Sequence, residues 1–295
     1  MLSILIPVYN YDAFSLVEKL HNQAVELNIA FEIICLDDAS DIFTTENQGI
    51  NQLKKGRFEI LPKNIGRSAI RNLLAEKALY ENLLFLDADT FPVHENFISN
   101  YISEINNAQK VVFGGIVYEN KKPEKEHLLR WIYGKKREAL NVSERKKNPS
   151  DTALVSNLLV KKEILARFPF DETVTRYGYE DLLFFSVLKS NQITITHIEN
   201  LVFHLNLETS VLFLSKTKTA LENLFFLVSS NKIAKNQSKV ATSFFLLKRV
   251  KLVSVFTFFF KKLELKIEQN LTSEKPSLFL FDLYKLGYYS FLNSK

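Results

Sequence analysis

Cys35 is the only cysteine in 295 residues. No internal disulfide can form, and no thiolate zinc site can be built. The expected setting is a reducing one, the cytoplasm. Glycine is also scarce, with 8 in the whole chain. Neither G-x-G-x-x-G nor G-x-x-x-x-G-K-[ST] occurs, which excludes a glycine-rich phosphate cradle. The longest apolar stretch, Leu252 to Phe260, is interrupted by Ser254 and Thr257 and falls far short of the about 20 residues that span a bilayer. The opening "MLSILIPVYN" lacks the basic start, apolar core and cleavage site of a signal peptide and reads as a strand.

What is present suits a globular protein: 46% hydrophobic and 24% charged residues. The length favours one large domain with an appendage. Net charge is +5, unevenly placed. Residues 206–295 hold 14 Lys+Arg against 6 Asp+Glu, +8, which leaves 5 − 8 = −3 for residues 1–205. The basic third therefore expects either an anionic surface as partner or a plain solvated lysine face.

Residues 1–205 alternate strand-length runs with helical ones. "LSILIPV", "FEIICLD", "RFEILP" and "NLLFLDAD" read as strands. Phe14, Val17, Leu20, Ala24 and Leu27 recur at helical spacing, as do Ile70, Leu73, Leu74 and Ala78. Strand–helix–strand repetition predicts an α/β fold with a mostly parallel, Rossmann-like sheet flanked by helices. "KVVFGGIVY", "TALVSNLLV", "QITITHI" and "NLVFHL" read as further strands, "EDLLFFSVLKSN" as a helix, and "NVSERKKNPSDT" as an exposed loop. From about Leu207 the segments are of helix length. The expected boundaries are 1–205 for the α/β domain and 206–295 for a helical extension.

The polar residues fall where strands end. The first strand runs into "PVYN", the second into "DDAS" and the fourth into "DADT". In a parallel sheet these ends share one edge, and ligands bind in the crevice outside it. Pro7, Tyr9, Asp38, Asp87 and Asp89 should converge there. On a strand side chains alternate, so Asp87 and Asp89 project to one side with Cα atoms roughly 6–7 Å apart. Carboxylates presented to a phosphate need a bridging divalent cation, Mg2+ or Mn2+, with phosphates and waters completing its shell.

"SILIPVYN", "FEIICLDDAS", "NIGRSAIRN", "LLFLDADT", "RYGYED" and "LVFH", in that order, resemble the family 2 glycosyltransferases with the GT-A fold, over roughly residues 1–205. The resemblance implies an inverting transfer of a sugar from a nucleoside diphosphate donor, a uridine diphosphate sugar, to a hydroxyl of a glycan or lipid-linked acceptor. It implies that Pro7 and Tyr9 line the base pocket and that Asp38 accepts a hydrogen bond from the nucleobase. Asp87 would meet the ribose or the metal shell, Asp89 would ligate the metal, and Arg71, with Arg67 as second candidate, would reach the diphosphate. In "YGYED", Asp181 is implied as the general base and Glu180 as a contact to sugar or acceptor. His204 matches a position of metal or diphosphate contact. Gly178-Tyr179 departs from the usual Gly-Trp or Gly-Gly, and Thr90 stands where many relatives carry a third acid.

Other readings of the same residues stay open. Asp37 and Asp38 could cap a helix, Glu180 and Asp181 could be first-turn acids favoured by the helix dipole, and His204 could be a satisfied buried histidine. His197 reads as structural. Trp131 and Tyr133 are either core aromatics or an acceptor-side wall. In the extension, Lys251, Ser254, Thr257 and Lys261 form a polar stripe on an apolar helix. Such a helix could lie peripherally on an anionic membrane, or pack in a bundle or against another subunit as a homo-oligomer. A nucleic-acid partner is not expected. Two alternatives to the transferase remain: a nucleotidyltransferase, which would want a glycine- and basic-rich loop after the first strand, and a non-catalytic adaptor on the same fold.

Overall fold

A computed structural model describes residues 1–294. The chain forms two compact units. The first holds Met1–Glu119, Glu138–Thr175 and Val187–Asn206, and the second holds Asn120–Arg137, Arg176–Ser186 and Leu207–Lys295.

In the first unit, β1 (Leu2–Val8), α1 (Phe14–Glu26), β2 (Phe31–Asp37), α2 (Thr44–Gln48), β3 (Gly56–Ile60), α3 (Arg67–Lys77) and β4 (Asn82–Leu86) follow in order. Then come β5 (Thr90–Pro92), α4 (Phe97–Asn106), β6 (Val111–Phe113) and β7 (Ile116–Val117). A seven-stranded sheet runs β3-β2-β1-β4, then β8 (Asn157–Lys161), β6 and β9 (Thr196–His197). β1 to β4 are mutually parallel, and β8 alone runs against its neighbours β4 and β6. Strands β1 and β4 are buried almost throughout, which is why they read as continuous apolar runs rather than alternating ones. Pro7 sits in a central strand at no cost in ladder bonds on the β4 side, because β1 pairs with β4 only from Leu2 to Leu5. The strand order turns outward from β1, to β2 on one side and β4 on the other, so the carboxyl ends of these strands frame a crevice at the switch point.

Beyond β4, three expectations are corrected. The run "KVVFGGIVY" is two strands in different sheets. β6 ends at Phe113, and β7 joins β5 and β10 (Val202–His204) in a three-stranded sheet. Side chains take over the backbone bonding at this break. Asn157 Nδ2 donates to the carbonyls of Gly115 and Asn200, each at 2.8 Å. The stretch "NVSERKKNPSDT" is mostly exposed but is not a loop throughout. It winds into α6 (Val142–Arg145) and α7 (Pro149–Thr152), and Arg145 is fully buried. Its guanidinium donates to the carbonyls of Phe113, Gly114 and Ile198, so a cation that reads as a solvent-facing charge serves as a backbone clamp. Third, β4 stops at Leu86. Asp87 to Thr90 form a turn closed by Thr90 N–H donating to the Asp87 carbonyl at 3.0 Å, so strand alternation does not govern the two aspartates.

The second unit is helical. It contains α5 (Leu128–Tyr133), α10 (Ser210–Ser229), α11 (Lys239–Arg249), α12 (Val253–Leu271) and α13 (Leu278–Leu292). α8 (Lys162–Arg167) lies in the first unit, and α9 (Glu180–Ser190) begins in the second. α13, "LFLFDLYKLGYYSFL", is apolar on nearly every side and packs against α10, α11 and α12, as such a helix must. Phe260, Ile267, Leu271, Phe281 and Tyr284 form one cluster with Leu129 and Leu214; Leu221, Leu224, Ala241, Phe244 and Tyr289 form another. Tyr133 packs on the first cluster and is a core aromatic, while Trp131 carries Lys135 Nζ 4.9 Å from its ring. Among the described residues no helix is long and apolar enough to cross a membrane.

Candidate active site

The site is assembled from the turns at the carboxyl ends of the parallel strands. After β2, Asp37 and Asp38 turn in different directions. Asp37 is fully buried and accepts from Ser40 N–H at 2.6 Å, a capping contact within the turn. Asp38, also buried, accepts from Ile65 N–H at 2.7 Å and Gly66 N–H at 3.0 Å, while Asn64 Nδ2 donates to its carbonyl. One carboxylate thus fixes the whole loop that enters α3, with lone pairs left over for another donor. Gly66 has φ +84° and ψ 166°, a region open to glycine alone, and it lets both consecutive N–H groups face Asp38.

The loop after β1 is anchored to its neighbour. Asn10 N–H donates to Ser40 Oγ, Asp41 N–H to Asn10 Oδ1, and Asn47 bonds the backbone of Tyr11 and Ala13. Tyr9 leaves this fixed loop with its side chain 54% exposed, so a ring face is available, and Pro7 is half-buried in register with Leu36.

α3 then delivers two arginines to Asp87. Arg71 Nη2 donates to Oδ1 and Arg67 Nη2 to Oδ2, both at 3.1 Å. Arg71 is 1% exposed with its guanidinium over the Phe170 ring, whereas Arg67 remains largely in solvent. Burial alone would raise the Asp87 pKa. The guanidinium charges of Arg67 and Arg71, the Arg71 hydrogen bond and His204 outweigh it, so the carboxyl lies below the usual range. The buried cation therefore has its counter-charge, the condition for keeping it inside.

Asp89 lies beside His204. β10 pairs antiparallel with β5, which sets His204 opposite Thr90, and His204 Nε2 lies 3.6 Å from Asp89 Oδ2. The Tyr118 ring stacks on the imidazole at 5.4 Å and 21°, and Tyr118 donates its hydroxyl proton to Glu138. His204 Nδ1 is buried without a hydrogen-bond partner. Burial, then the negative charges of Asp89 and Asp12, raise the pKa of Tyr11, so this hydroxyl stays protonated beside Asp89.

The structure thus gathers Pro7, Tyr9, Asp38, Arg71, Asp87, Asp89 and His204 on the carboxyl-end side of one sheet. Three residues escaped the sequence reading. Tyr11 carries no signal beyond its nearness to Tyr9, and Tyr118 none, since it meets His204 only through the pairing of β7 with β10. Gly66, a lone glycine before a helix, was legible as a turn but not as the partner of Asp38. Among the described residues no group of three or more His, Cys, Asp or Glu side chains gathers as a metal cage. Asp87 is held by its arginines and Asp89 lies beside His204, whose charge also acts on Asp87.

Glu180 and Asp181 open α9, within the second unit. Glu180 is buried, and Asp181 is half-buried. The turn before them is held by Gly178, whose φ is +95° and where a Cβ would stand 2.4 Å from that of Ala220. Asn223 donates to the Gly178 carbonyl, and Tyr179 closes the first turn by accepting from Leu183 N–H. Burial pushes the Tyr179 hydroxyl up to about 12, so it stays neutral.

The sequence profile described as Glycosyl transferase family 2 matches residues 3–185, more than half of the chain. The chain belongs to glycosyl transferase family 2. The match covers β1 to β4, both aspartate turns and the start of α9, so of the elements that form the site only β10 lies outside it. Solved structures of S. aureus TarS are similar in fold. One is 18% identical, with a TM-score of 0.50, covering 76% of this chain and 39% of that one. TarS 1-349 in complex with UDP-GlcNAc is 16% identical, with a TM-score of 0.52, covering 100% of this chain and 92% of that one. At such identities the likeness is one of fold, and this chain spans well under half the length of the longer TarS chain. No curated protein matches. The mixed α/β architecture with its mostly parallel sheet is that of the GT-A neighbours.

Proposed function

We propose that this family 2 chain transfers a sugar from a uridine diphosphate donor to a hydroxyl of a glycan or lipid-linked acceptor, with inversion at the anomeric carbon. The observation that carries the reading is the charge arrangement at the carboxyl edge of β1, β2 and β4. An acceptor-rich turn at Asp38, an exposed aromatic at Tyr9 and a guanidinium pair at Asp87 line up there, in a chain of this family.

In this reading Tyr9 and Pro7 hold the base by stacking, and Asp38 accepts from its imide N–H through lone pairs not used by Ile65 and Gly66. Asp87, held charged by Arg67 and Arg71, accepts from a ribose hydroxyl. Arg67, the more exposed of the two, meets the phosphate oxygens, which suit a guanidinium fork. Asp89 Oδ2 and His204 Nε2, a carboxylate oxygen and an imidazole nitrogen facing each other, fit a divalent cation that takes few protein ligands and completes its shell with phosphate. Such a cation, Mn2+ or Mg2+, would supply charge neutralisation to the departing diphosphate. Asp181 takes the proton from the acceptor hydroxyl as it attacks, and Glu180 orients the sugar from the same turn. A single displacement gives inversion.

The test is calorimetry with UDP, with and without Mn2+, followed by hydrolysis of a panel of UDP-sugars. Wild type should bind UDP more tightly with Mn2+. Asp89→Asn should lose that gain, and Asp181→Asn should bind UDP normally while losing at least about 100-fold in transfer rate. Full turnover in the Asp181→Asn chain would remove the base assignment, and absence of any UDP binding would remove the donor.

A further inference from the structure

From Asn223 to Leu263 the sequence holds eight Lys or Arg and not one Asp or Glu. This acid-free stretch contains α11, the turn after it and the first half of α12, and the structure shows where its apolar residues go. One face of α12 is committed to the helical core through Thr257, Phe260, Ile267 and Leu271. Thr257 belonged to the polar stripe expected from the sequence, so that stripe is not the outward face. The opposite face carries Val255, Phe258, Phe259 and Lys262, which the spacing of three and four residues puts side by side. Val255, Phe258 and Phe259 are each more than half exposed, and so are Leu246 and Val250 at the end of α11. Leu252, in the turn, is nearly so. The Phe258 and Phe259 rings contact each other edge to face at 5.6 Å rather than folding inward. Cations border this patch: Lys248, Arg249 and Lys251 are exposed at the turn, and Lys262 Nζ lies 4.3 Å over the Phe258 ring.

We infer that this corner docks on an anionic lipid surface, with the phenylalanines entering the headgroup–acyl boundary and the lysines meeting lipid phosphates. Exposed aromatic and aliphatic side chains rimmed by cations are what such an interface recruits. The single sign of charge decides between occupants. A second copy of this chain, docked face to face on the same patch, would oppose like cations, whereas an anionic bilayer neutralises them and accepts the apolar centre. The absence of acid over the stretch leaves no internal counter-charge to weaken that attraction.

Co-sedimentation of the full chain with phosphatidylcholine vesicles, with and without phosphatidylglycerol, tests the inference. The chain should pellet with the anionic vesicles at low salt, much less at high salt, and weakly with phosphatidylcholine alone. Lys248→Gln, Arg249→Gln and Lys251→Gln together should lower the partition about 100-fold, each cation contributing about fivefold. Phe258→Ser with Phe259→Ser should lower it at least about 10-fold. Both variants should keep the wild-type far-ultraviolet circular dichroism and the wild-type UDP-sugar hydrolysis rate in vesicle-free solution. Phe258→Trp should bind as wild type and shift its emission to the blue on adding anionic vesicles. Failure to pellet with anionic vesicles at low salt overturns the proposal. So does binding that neither multiple variant changes, or an unshifted Phe258→Trp emission. A concentration-dependent dimer that the phenylalanine variant dissolves would assign the face to a second copy instead.

Discussion

At the scale of single residues, burial separates side chains of the same type into different tasks. Asp37 and Asp38 are adjacent, yet one closes its own turn and the other holds a loop from another part of the chain. Arg71 and Arg67 share one aspartate, but Arg71 is buried and Arg67 is exposed. Histidine divides the same way. His197 is buried against Phe113, and its Nε2–H donates to the Pro149 carbonyl at 3.0 Å. Burial, with the positive charges of Arg145 and Lys146, depresses its pKa to about 4, against the pull of the Pro149 hydrogen bond. The unfolded chain therefore takes up this proton near pH 6.5, and the folded one only near pH 4. Stability should be unaffected by His197 above about pH 6.5. It should fall as pH drops from there towards about 4, then level off. Urea midpoints measured across that window should decline more steeply for wild type than for His197→Gln, and identical slopes would refute the assignment.

At the scale of elements, the first four strands, α1 and α3 were readable, the strands as short apolar runs and the helices by their spacing, while the short α2 carries no such signal. The turns between them were not, because side chains from elsewhere decide their shape. "DAD" looks like the end of a strand, but the Thr90 hydroxyl and N–H both bond the Asp87 carbonyl and fold it into a turn. "NVSERKKNPSDT" is dominated by charge, and nothing local announces that Arg145 reaches carbonyls in two other segments. The carboxylate edge of the site was legible, since strand ends of a parallel sheet converge by topology alone. The pairing of Arg71 with Asp87 was not, since it depends on which face of α3 meets the sheet. Arg145 carries the corresponding prediction. Arg145→Met would strip the guanidinium donors from the carbonyls of Leu140, Phe113, Gly114 and Ile198, of which Phe113 and Gly114 keep a backbone N–H, and should destabilise the first unit by about 3 kcal/mol. Arg145→Lys should recover little of this, because an ammonium cannot span the same fork of acceptors. Denaturant titration measures both.

At the scale of the whole molecule, charge and apolar surface are partitioned along the chain: residues 1–205 carry −3 and the remainder +8. Asp38, Asp87 and Asp89 sit at the sheet edge with Arg67 and Arg71, and the excess of cations lies on the helices of the second unit. Ligand linkage should follow this division. UDP with Mn2+ at 100 times its dissociation constant should stabilise the folded chain by about 2.7 kcal/mol. Asp38→Ala should lose most of that shift in a thermal melt, while the Lys248→Gln, Arg249→Gln, Lys251→Gln chain keeps it. Equal melting shifts in wild type and Asp38→Ala would show that the base does not rest against Asp38.

Asp38 and Arg71 together act as a brace. The tip of β2 grips the loop before α3 through Asp38, and α3 grips the turn after β4 through Arg71, so two strand tips on either side of β1 are linked by a rigid strut. The two loops that flank the end of β1 are therefore held by bonds of the chain itself, one anchored at each end of the strut.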